Sequence, residues 1–187
     1  MRTRSIAGVL VATAFICAAH PSIAQDKGKT EAAELTRESQ AALQKLYASA
    51  ELSKLLQPKA QAILVFPKVT KGGFGIGGQY GEGALLKNGT AVAYYKTTGA
   101  SFGLQAGGQQ YGYAMFFMNA KALDDFVNAS GFEVGVGPSV VLVDEGMAKT
   151  TTTNTLKDDI YAFVFGQKGL MAGLGVQGNK ITKITPK

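Results

Sequence analysis

The apolar positions of this chain change period once, near Pro58. From residue 30 to 57 they recur at helical spacing. Leu35, Ala42, Leu46 and Ala50 form a stripe, with Leu43 and Tyr47 beside it. Ser49 is placed to cap a second short helix carrying Leu52, Leu55 and Leu56. Pro58 ends it, because its ring disfavours helix at the preceding residue. Residues 25–29 (QDKGK) read as a loose polar start. The pattern predicts a helical lead over 30–57 whose stripe packs on its own domain rather than on a membrane.

After Pro58 the period becomes two. Apolar or alternating runs at 62–66, 85–98, 102–106, 111–118, 140–143, 148–153, 160–165, 170–176 and 180–184 read as strands. Lys87-Asn88-Gly89-Thr90 splits the second run into a hairpin, since Asn-Gly tolerates the positive φ values of a tight turn. Turns are expected at 144–146, 166–169 and 177–179. One helix is inserted at 120–130, with Asn119 as its cap, Leu123, Phe126 and Val127 inward, and Gly131 as its stop. The expected fold is α+β: an N-terminal helical segment plus a curved or barrel-like, mostly antiparallel sheet of eight or nine short strands. The sheet-rich body covers 60–185.

Composition changes this picture at the N-terminus. The 187 residues are 46% apolar and 17% charged, which argues against disorder. Within the first 24, Arg2 and Arg4 precede an apolar run, and Ser22-Ile23-Ala24 offers small residues for cleavage. Residues 1–24 therefore read as a secretory signal peptide and 25–187 as a single domain, exported to the periplasm and in part membrane-associated. Lipoprotein processing at Cys17 is disfavoured, because Phe15 and Ile16 precede it where a small residue is needed. Cleavage would remove Cys17 and His20, the only cysteine and histidine. Disulfides, Ser-His-Asp and Cys-His catalysis and the usual zinc sites are then excluded. Loss of Arg2 and Arg4 lowers the formal charge from +6 to +4. That mild excess suits an anionic surface.

Little catalytic chemistry is left. GGFGIGGQYGEG, residues 72–83, contains a literal G-x-G-x-x-G at Gly73, Gly75 and Gly78. A dinucleotide loop needs a helix N-terminus downstream to hold the pyrophosphate. QYGEGALLKNG reads instead as strand and turn, so the glycines are expected to let a strand bend and to leave a bare face for a closely packed helix or, as the alternative, a lipid chain. Asp124/Asp125, Asp144/Glu145 and Asp158/Asp159 are adjacent pairs that read as solvated carboxylates. No mature serine stands in an S-x-x-K motif. No catalytic residue, metal or cofactor is expected, and no nucleic-acid motif occurs. Lysines at 59, 68, 71, 96, 149, 168, 180, 183 and 187 lie near strand ends or turns. Converging on one face, they would attract anionic headgroups.

Four ordered blocks carry a resemblance. AILVFPKVTKGGFGIGGQYGEGALL (62–86) and AYYKTTGASFGLQAGGQ (93–109) come first. FFMNAKALDDFVNASGFEVGVGPSVVLVDEG (116–146) and FVFGQKGLMAGLGVQGNKITKI (163–184) follow. Together they resemble the SYLF-domain family, in its exported bacterial form, over roughly 42–184. Tyr95-Lys96-Thr97-Thr98 stands where many relatives carry a W-S-x-P-like block, which puts a eukaryote-type ligand preference in doubt. The resemblance implies one α+β domain, no catalytic residues and binding of acidic phospholipid. Actin binding, known in eukaryotic relatives, is not expected. The resulting expectation is a non-enzymatic periplasmic lipid-binding protein. Lys68, Lys71 and Lys168 would meet headgroups, and an apolar surface near Phe66 or Phe74 would meet acyl chains. The alternative is a structural or protein-interaction module of the cell envelope, binding an envelope protein.

Overall fold

The helical stripe becomes α1 (Ile23–Ser49) in the computed structural model, which describes residues 23–74, 76–102, 107–133, 140–143, 157–169 and 179–186. The helix starts earlier than expected, so the polar stretch 25–29 is helical. Ser49 does not cap the next helix. Its hydroxyl turns back to the carbonyls of Lys45 (3.1 Å) and Leu46 (3.2 Å), closing the end of α1. Ala50 is the N-cap of α2 (Glu51–Leu56), in extended geometry and without a side-chain bond. A single 3-10 turn through Pro58 then leads into the sheet.

Among the described residues the sheet has eight strands: β1 (Ala62–Phe74), β2 (Ile76–Lys87), β3 (Thr90–Phe102), β4 (Gly107–Phe117), β5 (Phe132–Glu133), β6 (Val140–Val143), β7 (Ile160–Gly169) and β8 (Lys180–Ile184). Their order is β5-β8-β3-β2-β1-β4-β7-β6. Every ladder is antiparallel except β6 with β7, and the sheet curls into a half-barrel. Asn88 (φ 51°) and Gly89 (φ 80°) make the expected tight turn between β2 and β3. α3 (Ala120–Asn128) starts where Asn119 accepts a hydrogen bond from the Ala122 N–H at 2.8 Å. It ends through an extended Ala129 rather than a glycine cap. Gly131 instead gives clearance to Lys180, whose Cε would lie 2.7 Å from an added Cβ. The strands expected at 148–153 and 170–176, and the turn at 144–146, lie outside the described residues.

Alternation along the strands builds two cores. On one face Ile63, Val65, Ala84, Leu86, Ala114, Phe116, Tyr161 and Phe163 meet Leu43, Leu46 and Tyr47 of α1 and Leu52 and Leu56 of α2. On the other, Leu64, Phe66, Leu85, Tyr95, Tyr113, Met115 and Phe117 meet Phe126 of α3. Phe126 touches three rings, with centroids 4.8 Å from Tyr95, 4.9 Å from Phe117 and 5.3 Å from Phe132. Truncating such a ring costs about 3–5 kcal/mol. Ser39 of α1 is fully buried and donates to the Val65 carbonyl at 3.3 Å, so a small side chain lets the helix approach β1.

Three irregularities interrupt this pattern: Val92 is extra on β3, where Leu85 faces Ala93 and Leu86 faces Ala91, and two further bulges bear on the site. β1 does not stop at Phe66 but runs through Pro67 to Phe74. Its register shifts between Val65 and Lys68 against β2, and between Phe66 and Val69 against β4. Proline has no N–H to give a ladder and is tolerated in a central strand where pairing lapses. The second lies on β7: Gln110 faces Lys168 and Gly112 faces Phe165, leaving Gly166 (φ 61°) and Gln167 opposite Tyr111 alone. The expected turn at 166–169 is therefore a bulge inside a longer strand.

Candidate functional site

The two bulges lie at the same level of the sheet and open a cleft of about 550 Å³ against α1. Glu38, Ala41, Ala42, Lys45 and Ser49 line it from the helix. Pro67 and Lys68 come from β1, Gln110 to Gly112 from β4, and Phe165, Gly166 and Lys168 from β7. The floor is apolar. Gly112 lets the Phe165 ring lie on the β4 backbone, since an added Cβ would stand 2.4 Å from Phe165 Cε2. The rim is cationic, for Lys45, Lys68 and Lys168 are all exposed there with Glu38 as the one carboxylate.

Among the described residues none of the three lysines has a carboxylate partner. Among the described residues the ion pair formed is Lys121–Asp125, on α3 and far along the chain. Glu82 pairs in register with Lys68, but its carboxylate accepts the Tyr80 hydroxyl. That bond first, and burial second, push the Tyr80 hydroxyl up to about 12. Three cations over an apolar floor match an anionic group attached to an apolar body.

The sites expected from the sequence are only partly brought together. Lys68 and Lys168, a hundred residues apart in sequence, share the cleft. Lys71 does not join them, because it lies three positions past Lys68 on an unbroken stretch of β1, an odd spacing that puts the two on opposite faces. Lys68 faces α1, whereas Lys71 shares the parity of Val69, a residue of the α3-side core. Phe66 has no exposed surface and stacks on Tyr113 at 6.0 Å, so it supports the cleft wall from behind and reaches no ligand. Phe74 ends β1, and its side chain lies outside the described residues. Lys45 and Phe165 are new. Lys45 looked like any exposed helix lysine, and nothing in the sequence tells which strand bulge it overlooks.

The glycine stretch is a hairpin. Gly73 pairs with Gly77 and Gly72 with Gly78, and β2 continues to Lys87 with no helix after it. A pyrophosphate cradle is thereby ruled out. The partner of the bare glycine face is not a helix, as expected, but β1. A Cβ on Gly83 would stand 2.2 Å from the Val65 carbonyl oxygen and 2.7 Å from the Phe66 ring; on Gly81, 2.8 Å from the Lys68 carbonyl oxygen.

Residues 98–185, from within β3 to just past β8, match the family model described as Ysc84: Las17-binding protein actin regulator. The match is consistent with a member of the SYLF-domain family. No curated protein is similar enough in sequence to match the chain. A SYLF domain suggests a module for lipid binding or protein interaction. The matched span contains the β4 and β7 walls of the cleft and Lys168, while Lys45 and Lys68 precede it.

Proposed function

We propose that this chain is an exported, non-enzymatic lipid-binding protein of the periplasm, and that the cleft between α1 and the bulged strands takes the headgroup of an anionic phospholipid. The observation that carries the reading is the rim of Lys45, Lys68 and Lys168, unpaired among the described residues, above the floor formed by Ala42, Pro67 and Phe165. Among the described residues no helix is long and apolar enough to cross a membrane. In this reading the protein meets lipid at a surface, through the lysines. The actin regulation named in the family description is not carried over.

Co-sedimentation with vesicles tests this. Binding is expected to phosphatidylglycerol-containing vesicles and not to pure phosphatidylcholine. It is expected to weaken as salt shortens the Debye length from ~10 Å at 0.1 M to ~3 Å at 1 M. Equal binding to both vesicles, or binding indifferent to salt, would refute it.

A second reading, a protein-interaction module of the envelope, draws on a different groove. Gly28, Lys29 and Ala32 of α1 line it with Ala91 to Tyr94 of β3 and Lys183 to Pro186 at the C-terminus, and Val92 is 57% exposed there. Recovery of a stoichiometric envelope protein, with no lipid retained, would favour this reading.

A further inference from the structure

The glycine-rich end of the sheet carries polar side chains on its α3 side that the lipid cleft does not use. Lys71 of β1 pairs in register with Gln79 of β2 on one side and with Gln109 of β4 on the other. No register shift falls between Val69 and Gly73 in either ladder, so all three side chains share the α3-side face. Directly opposite residues on one face hold their Cβ atoms roughly 5 Å apart. Lys71 is thus flanked by two amides, and the next positions in the row are Gly99 and Gly169, which add no side chain.

The row is unusually buried for its chemistry. Gln79 is 6% exposed and Gln109 3%, and Thr97, one row along on β3, is 1% exposed. Lys71 is half-buried and reaches solvent. Gly99 is needed here, because a Cβ on it would meet Asn179 Oδ1 at 2.5 Å and Gln79 Nε2 at 3.1 Å. The backbone is bare so that polar side chains can fold over it.

Their hydrogen bonds are incomplete. The Tyr111 hydroxyl, which burial pushes up to about 12 and so keeps protonated, donates to Gln79 Oε1 at 3.1 Å. That bond orients the amide; among the described residues Gln79 Nε2, Gln109 Oε1 and Thr97 Oγ1 have no partner. Buried polar groups are nearly always paired, so unmet ones point to a missing partner. Glu82, the nearest carboxylate of β2, has the opposite parity and faces α1. What the row offers is one ammonium, the Gln79 N–H donors, the Thr97 hydroxyl and, after a half-turn of its amide, the Gln109 N–H donors.

We propose that this row binds a small oxyanion, a phosphate group held between Lys71, Gln79 and Gln109, on the opposite face of the sheet from the lipid cleft. The group could be free phosphate or the phosphomonoester of a single lipid. The two sources are separated by calorimetric titration with inorganic phosphate, up to about 10 mM, and with monomeric dihexanoyl phosphatidic acid. The purified protein is compared with Lys71→Met, with Gln109→Glu, which sets a carboxylate beside the ammonium, and with the cleft variant Lys68→Met. Phosphate affinity is expected to fall about tenfold or more in Lys71→Met and Gln109→Glu, the loss of a charge-assisted contact. Lys68→Met is expected to leave it unchanged. A parallel loss for phosphatidic acid names the lipid as source; no phosphatidic acid binding dependent on Lys71 names free phosphate. The proposal is overturned if neither probe binds, or if Lys71→Met, melting as the parent does, binds both undiminished. Loss in Lys68→Met equal to that in Lys71→Met overturns it as well, since the anion would then sit in the cleft.

Discussion

Replacing Lys45, Lys68 and Lys168 together by glutamine is expected to weaken binding to anionic vesicles by roughly two orders of magnitude. Each lysine near an anionic surface contributes about 1 kcal/mol, and about 1.4 kcal/mol is a factor of ten. Glutamine keeps part of each aliphatic stem, so the apolar floor stays covered and the loss reports charge. Because all three side chains are exposed, the variant is expected to melt within a few degrees of the parent. The matched control replaces Lys87, Lys121 and Lys157, which are also exposed but lie outside the cleft. It removes the same total charge. If the control loses as much as the cleft variant, binding follows net charge and the cleft has no part in it.

The second large effect concerns the glycines. Gly83→Ala is expected to destabilise the fold by about 3 kcal/mol or more, and Gly78→Ala to change it by less than about 1 kcal/mol. An alanine Cβ at 83 would overlap the Val65 carbonyl oxygen at 2.2 Å and carbon at 2.8 Å. Both are backbone of a central strand, with no rotamer to change. At Gly78 the nearest atom is the Gly99 carbonyl oxygen at 3.8 Å, an ordinary contact. For a domain of this size 3 kcal/mol lowers the melting temperature by roughly 6–12 °C. Thermal denaturation of the two variants checks the contrast. A phosphate loop would reverse the order, since Gly78 would be the third glycine of the fingerprint and Gly83 would lie beyond it. The observed geometry instead ties glycine to the Pro67 bulge. β2 lies so close to the displaced β1 backbone that side chains at 81 and 83 cannot fit.

The sequence was informative where a local rule decides the outcome. The Asn88-Gly89 turn, the Asn119 cap and the apolar run of 111–118 each depend on a few neighbouring residues. The strong apolar stripe through Leu35, Leu46 and Tyr47 likewise sufficed to place α1 against the domain. Extent was harder to read. A proline at 67 argues locally for the end of a strand, and Gly166 to Gly169 for a turn; the structure has a bulge at each place because neighbouring strands hold the chain on both sides. Those bulges also decide the site. The one on β1 reverses parity before Lys68, so Lys68 turns to α1 and Lys71, an odd three positions on, to α3, the opposite of what an unbroken strand would give. The bulges also bring Lys168 beside Lys45, a proximity that depends on sheet order and on no local signal. Phe66 was legible as apolar but not as buried, because a strand alone does not tell which face is covered.

Hydrogen exchange, with and without phosphatidylglycerol vesicles, tests the central claim most directly. If the cleft receives an anionic headgroup, protection on adding vesicles is expected at 38–49 of α1, at 67–68 of β1 and at 165–168 of β7, with the α3 helix unchanged. Protection confined to 28–32, 91–94 and 183–186, or no change at the cleft while the protein is vesicle-bound, would contradict it.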